Sequence, residues 1–133
     1  STISGDSVSF LLINGAELNI AGTATLNLSA FDPENPHHRP DPFAGLLFFA
    51  DRLGAPVSHT MNGNATSDIN GIVYLPNDNI SYSGNSSAEY ACIQIIASQL
   101  NIGGNGTLNI GCLPDKPSGS KLLHSAQRIN LLE

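Results

Sequence analysis

The chain has 133 residues, enough for one domain with a core of its own. A net charge of −6 with only five Lys and Arg residues, none clustered, excludes the electrostatic footprint of a nucleic-acid binder and disfavours an anionic membrane surface. Charged residues are only 12% of the chain while Ile, Leu and Val are plentiful, which excludes disorder, and no apolar run approaches the roughly 18–20 residues that span a bilayer.

In chain order, a polar stretch comes first, Ser1–Ser7, without the features of a signal peptide. The run Phe10–Ile13 is of strand length. Leu18 and Ile20 then alternate with polar residues up to Gly22, and Leu26 and Leu28 alternate after it. Period-two alternation marks a strand with one buried face. Next is "FDPENPHHRPDPFA" (31–44), whose four prolines forbid a central strand. It reads as a stiff loop inserted between repeats.

Asp32, Glu34, His37, His38, Arg39 and Asp41 gather in that loop. Imidazoles beside carboxylates suit Zn²⁺ or a similar ion, so His37, His38 and Asp41 are the candidate metal ligands. Adjacent residues of an extended segment point to opposite sides, however. The expectation is therefore a solvated loop that offers a partner site, with no metal and no cofactor.

The pattern resumes with "LLFF" (46–49), followed by "DRLGAPV", where about five extra residues are expected. His59, Met61 and Gly63–Asn64 follow. His59 stands in a column of apolar residues, so it is either a hydrogen-bonded core histidine or the sign of a local shift. Asp51 and Arg52 read as a solvated turn. Ile69, "IVYL" (72–75), Ile80, Tyr82 and Gly84–Asn85 come next, then Tyr90, "IQII" (93–96), Leu100, Ile102 and Gly104–Asn105. Leu108 and Ile110 repeat the alternation. "QRINLL" (127–132) reads as a closing strand, with a short helix over "KLLHSAQR" as the alternative.

Gly22, Gly63, Gly84 and Gly104 align these segments, the last three at steps of 21 and 20 residues and each followed by Asn64, Asn85 or Asn105. About three short strands fill each period. That is the unit of a right-handed parallel β-helix, here of about four coils with 20–21 residues each, forming one domain over 1–133 with the proline-rich insertion at 31–44. Glycine permits positive φ at a corner and asparagine tolerates the left-handed region. The "GGNG" at 103–106 is thus a corner, because a phosphate loop would be followed by a helix and usually carries a lysine.

Cys92 and Cys112 lie one period apart, each eight residues after its glycine, where Ala30 and Gly71 stand in the other coils. Neighbouring coils place such Cα atoms about 5 Å apart, within reach of a disulfide. Two buried free thiols are the alternative. A bridge implies an oxidising, extracytoplasmic compartment.

Catalytic patterns are sparse. Polysaccharide-cleaving β-helices need clustered carboxylates, whereas Asp68 and Asp78 read as isolated, each in a different turn. No nucleophile elbow is present. Thr23 and Thr25 make one T-x-T pair that other coils do not repeat, and the sequons at Asn64, Asn85 and Asn105 arise from the corner motif itself.

"GIVYLPNDNISYSGNSS" (71–87) followed by "CIQIIASQLNIGGNG" (92–106) resembles the C-terminal region of TadG-like proteins of bacterial Tad (tight adherence) Flp-pilus assembly loci. The likeness runs from about Gly45 to the C-terminus; the insertion at 31–44 departs from it. It implies an envelope-anchored protein with an N-terminal membrane helix, acting in pilus biogenesis or surface adhesion without catalysis. Cys92, Gly84, Asn85, Gly104 and Asn105 map onto structural positions of that pattern. The implied partners are proteins of the cell envelope or pilus machinery, with glycans as the alternative ligand. Open coil ends add end-to-end self-association to the expectations.

Overall fold

The computed structural model describes residues 2–21, 24–31, 43–63, 68–84, 87–91, 93–104 and 107–110. Ten strands succeed one another: β1 (Thr2–Gly5), β2 (Phe10–Leu12), β3 (Asn19–Ile20), β4 (Thr25–Ser29), β5 (Leu46–Ala50), β6 (Ser58–Gly63), β7 (Asp68–Gly84), β8 (Ser87–Ala91), β9 (Ile93–Gly103) and β10 (Thr107–Ile110). Every pairing among them is parallel, and the described residues contain no helix. Parallel neighbours so close in sequence, without crossover helices, require the chain to wind around an axis. The protein is a parallel β-helix.

Its interior consists of columns that climb the axis. Phe10, Phe48, Val73 and Ile95 share one, and Ile20, Met61, Tyr82 and Ile102 another. Leu28 and Ile69 continue the third face. Leu47, Phe48, Val73, Leu75 and Ile80 are essentially sealed from solvent. Each such side chain contributes about 1.5–3 kcal/mol by leaving water. No single coil can bury its own apolar face, so stability comes from stacking. β7 passes around all three faces, which is why one eight-stranded sheet runs continuously through the molecule.

Four levels stand in these columns, joined by about three turns rather than the four coils expected. Among the described residues four levels enclose three intervals, and residues 111–133 lie outside them. Gly63 and Gly84 pair directly at the expected corner, and Gly104 has a φ of +83°. Gly22, Asn64, Asn85 and Asn105 lie outside the described residues.

One column is displaced. Gly71 pairs with Ile93, not with position 92 as the spacing predicts. Gly71 follows Gly63 by eight residues, whereas Ile93 follows Gly84, the partner of Gly63, by nine, so the next level takes one more residue between these pairs. Cys92 and Cys112 themselves lie outside the described residues.

Two stretches depart from the regular spacing. Flanking the first, the Gly45 amide donates to the Phe31 carbonyl at 2.8 Å and the Gly45 carbonyl accepts from Ile72 N–H at 2.8 Å. Residues 32–42, including Asp32, Glu34, His37, His38, Arg39 and Asp41, lie outside the described residues. The other irregularity is a corner. Phe49 to Ser58 spans nine positions, their partners Tyr74 to Asn79 span five, and Ile96 to Gln99 span three. The extra residues form the loop 51–57.

Candidate functional site

The enlarged corner is fastened from the level above it. Val57 N–H donates to Asp78 Oδ1 at 2.9 Å, Asn79 N–H donates to the Val57 carbonyl at 2.9 Å, and Asn77 Nδ2 donates to the Gly54 carbonyl at 2.7 Å. Asp78 also meets His59, whose Nε2 lies 3.0 Å from Asp78 Oδ2. Both are buried, His59 at 1% exposure and Asp78 at 4%. Leu18 N–H donates to His59 Nδ1 at 3.1 Å. An acceptor nitrogen carries no proton, so the ring is neutral, holds its proton on Nε2 and donates it to the carboxylate. The pair is a charge-assisted hydrogen bond between a neutral imidazole and a carboxylate.

His59 is therefore a hydrogen-bonded core histidine. No local shift of register accompanies it, since His59 pairs with Ile80 and Ile80 with Leu100 in the expected column. Asp78 corrects the expectation of an isolated acid: it sits one level above His59 and belongs to that pair. The sequence signal for it was the break in the apolar column. A buried imidazole requires a polar partner on the next level, and Asp78 stands two residues before the Ile80 that occupies the column there.

An open cleft of about 330 Å³ lies beside this pair. Leu12, Asn14, Ala50, Asp51, Leu53 and Asp78 contribute to its walls. Asp51 is occupied in shaping its own turn, with Oδ1 accepting from Leu53 N–H at 3.0 Å. Arg52 reaches back to the sheet, its Nη2 3.0 Å from the Tyr74 hydroxyl. The solvated turn expected at 51–52 is present, with this additional tie.

Two outer surfaces differ in chemistry. Leu11, Phe49, Tyr74 and Ile96 make an outward column across four levels. Phe49 and Tyr74 stack at 5.6 Å with 11° between their planes, and Phe43 approaches Phe49 edge-on at 6.1 Å. On the face built from β1, β4 and residues 68–70, a groove of about 320 Å³ is lined by Ser4, Asp6, Asn27, Ser29, Asp68 and Asn70. Ser4, Asn27 and Asp68 share one column of the register. Asp68 Oδ1 accepts from Asn70 Nδ2 at 2.9 Å and Ser29 Oγ donates to Asp6 Oδ1. Asp68 thus lies on a strand facing a polar groove instead of standing alone in a turn.

Among the described residues, no three His, Cys, Asp or Glu side chains converge as a metal site would require, and no helix is long and apolar enough to cross a membrane. Thr25 pairs with Thr2 across β1 and β4, while Thr23 lies outside the described residues.

Fold and surfaces together define a parallel β-solenoid whose buried polar pair secures a corner and whose outer faces carry one apolar rib and one polar groove. No protein-family model, curated protein or solved structure matches the chain.

Proposed function

We propose that the chain is a non-catalytic structural and adhesive module of an extracytoplasmic surface, of the pilus-assembly type that its TadG-like resemblance implies. The observation that carries this reading is the outward rib Leu11–Phe49–Tyr74–Ile96. Four stacked strands hold it rigidly, so a protein partner meets an ordered apolar and aromatic strip at little cost in conformational entropy. Catalysis, by contrast, needs a base free to move a proton. The buried imidazole–carboxylate pair has its ring nitrogens and both carboxylate oxygens engaged in holding the corner.

The test is genetic. Deleting the gene in its host should abolish surface pili or attachment, and complementation with Phe49→Ser together with Tyr74→Ser should fail where the unaltered gene succeeds. Normal pili and attachment in the deletion strain would overturn the reading.

A second reading, a carbohydrate-binding surface, draws on the groove of Ser4, Asp6, Asn27, Ser29, Asp68 and Asn70. Amide, hydroxyl and carboxylate groups repeating at strand spacing suit the hydroxyls of a glycan chain. A glycan array favours this reading if binding appears and Asp68→Ala removes it.

A further inference from the structure

The bond between Leu18 and His59 exists in only one protonation state of the ring. Nδ1 accepts from Leu18 N–H at 3.1 Å, while Nε2 lies 3.0 Å from Asp78 Oδ2. A protonated imidazole carries a donor on each nitrogen and has no acceptor. One proton taken from solvent onto Nδ1 therefore sets two donors against each other where a hydrogen bond stood. Asp78 has the opposite preference, because the same 3.0 Å contact then joins a cation to its carboxylate. Proton uptake strengthens the tie between the second and third levels and severs this tie between the first and second.

What is released is short and defined. The Leu18 carbonyl still accepts from Thr60 N–H at 2.9 Å, and β3 stays in register with β6. Just before it, Ala16 N–H closes a turn on the Ile13 carbonyl at 3.1 Å, with φ of +55° at Asn14 and +74° at Gly15. Asn14, Gly15 and Ala16 contribute to one side of the 330 Å³ cleft that Asp78 also lines. We infer that the buried pair is a proton-operated latch on this corner: the neutral ring holds the chain entering β3 to the second level, and the protonated ring lets it go and widens the cleft.

The groups around the ring leave Asp78 as its charged partner. β6 carries no second titratable side chain, and β3 carries none. Glu17, next to Leu18 on the first level, is exposed. On the adjoining loop, Asp51 accepts from Leu53 N–H and Arg52 is turned to the Tyr74 hydroxyl. Along the part of β7 that pairs with β6, Asn79–Gly84, the titratable side chain is Tyr82, which stands level with Met61 and not with His59. Histidine is suited to this role because its proton is the one that neutral side chains exchange most readily under mild acidification.

The inference rests on the fold and is independent of the proposed partner. A pH titration of the unaltered, nitrogen-15-labelled chain, followed by NMR, tests it. While the ring is neutral, a scalar coupling through the hydrogen bond should join Leu18 N to His59 Nδ1. As the ring nitrogens report proton uptake, that coupling should be lost, and the amide signals of Asn14–Leu18 should move with the same midpoint, whereas the Val57 amide, bonded to Asp78, should move least. His59→Gln offers one donor and one acceptor but does not titrate, so its Leu18 amide should be indifferent to pH over the same range. Should that variant not fold, the titration of the unaltered chain decides by itself. No coupling to the neutral ring, a Leu18 amide that stays in place as the ring protonates, a ring that remains neutral until the whole chain unfolds, or the same response in His59→Gln would each overturn the latch.

Discussion

The 3.0 Å hydrogen bond from His59 to Asp78 ties three successive levels of the helix together. Leu18 on the first level donates to one ring nitrogen, and Asp78 on the third accepts from the other. The carboxylate then holds Val57, at the far end of the enlarged corner. Removing either partner leaves buried polar groups unmade. Asp78→Ala should destabilise the fold by about 2–4 kcal/mol, since His59 Nε2–H and Val57 N–H both lose their acceptor. His59→Leu, which restores the apolar character of its column, should still be destabilising because it leaves Asp78 Oδ2 and Leu18 N–H without their partner. Urea denaturation of both single variants and the double variant should show a coupling of about 1 kcal/mol or more. Simple additivity would refute the linkage.

Gly71 should tolerate no side chain. Its φ is +137°, and a Cβ there would stand 2.7 Å from Ala30 Cβ and 3.1 Å from Leu47 Cβ. Backbone strain and collision add, so Gly71→Ala should cost at least about 2 kcal/mol. Gly15 isolates the strain alone: its φ is +74° but nothing lies within 4 Å of a Cβ. Gly15→Ala should therefore cost only about 1 kcal/mol. Denaturation midpoints of the two variants give the comparison, and equal losses would contradict the close approach at Gly71.

The outer rib should behave as a coupled pair of rings. Phe49→Ala and Tyr74→Ala should interact by about 0.5–1.5 kcal/mol in a double-mutant cycle, the range for stacked aromatic side chains. Tyr74→Phe keeps the stack and removes only the exposed hydroxyl bonded to Arg52. Its effect should stay within about 0.5 kcal/mol. A larger loss would mean that Arg52, rather than Phe49, holds the ring in place.

Cys92 and Cys112 should be joined when the protein is prepared without reductant. β8 and β10, which precede them by one or two residues, run side by side with Ser87 level with Thr107 and Ala91 level with Ile110. A digest cut between the cysteines should yield one linked peptide pair, resolved by mass spectrometry. Adding reductant should lower stability by about 3 kcal/mol, as expected for a loop of this size. Two alkylated thiols in the unreduced digest would refute the bridge.

How far the sequence reached is clearest in individual residues. The columns Ile20–Met61–Tyr82–Ile102 and His59–Ile80–Leu100 were readable because side chains facing the interior are apolar on nearly every pass, His59 being the exception, and strand alternation keeps the period audible. The long corner at 51–57 was readable as a departure from that period. The partner of Gly71 was not, since it depends on how many residues each level takes beyond the Gly63–Gly84 pair, eight up to Gly71 and nine up to Ile93.

The sequence by itself determined the winding of the chain, the faces that are buried and the places where loops leave the helix. These follow from local alternation and from the need of each coil to cover the next. Only the tertiary structure decided what the polar residues do: that Asp78 answers His59, that Asp6 and Asp68 border one groove, and that Phe49 and Tyr74 stack on the outside. Such partners lie one turn apart in the chain, and a hydrogen bond or ring contact depends on distances of a few tenths of an ångström that periodicity does not specify.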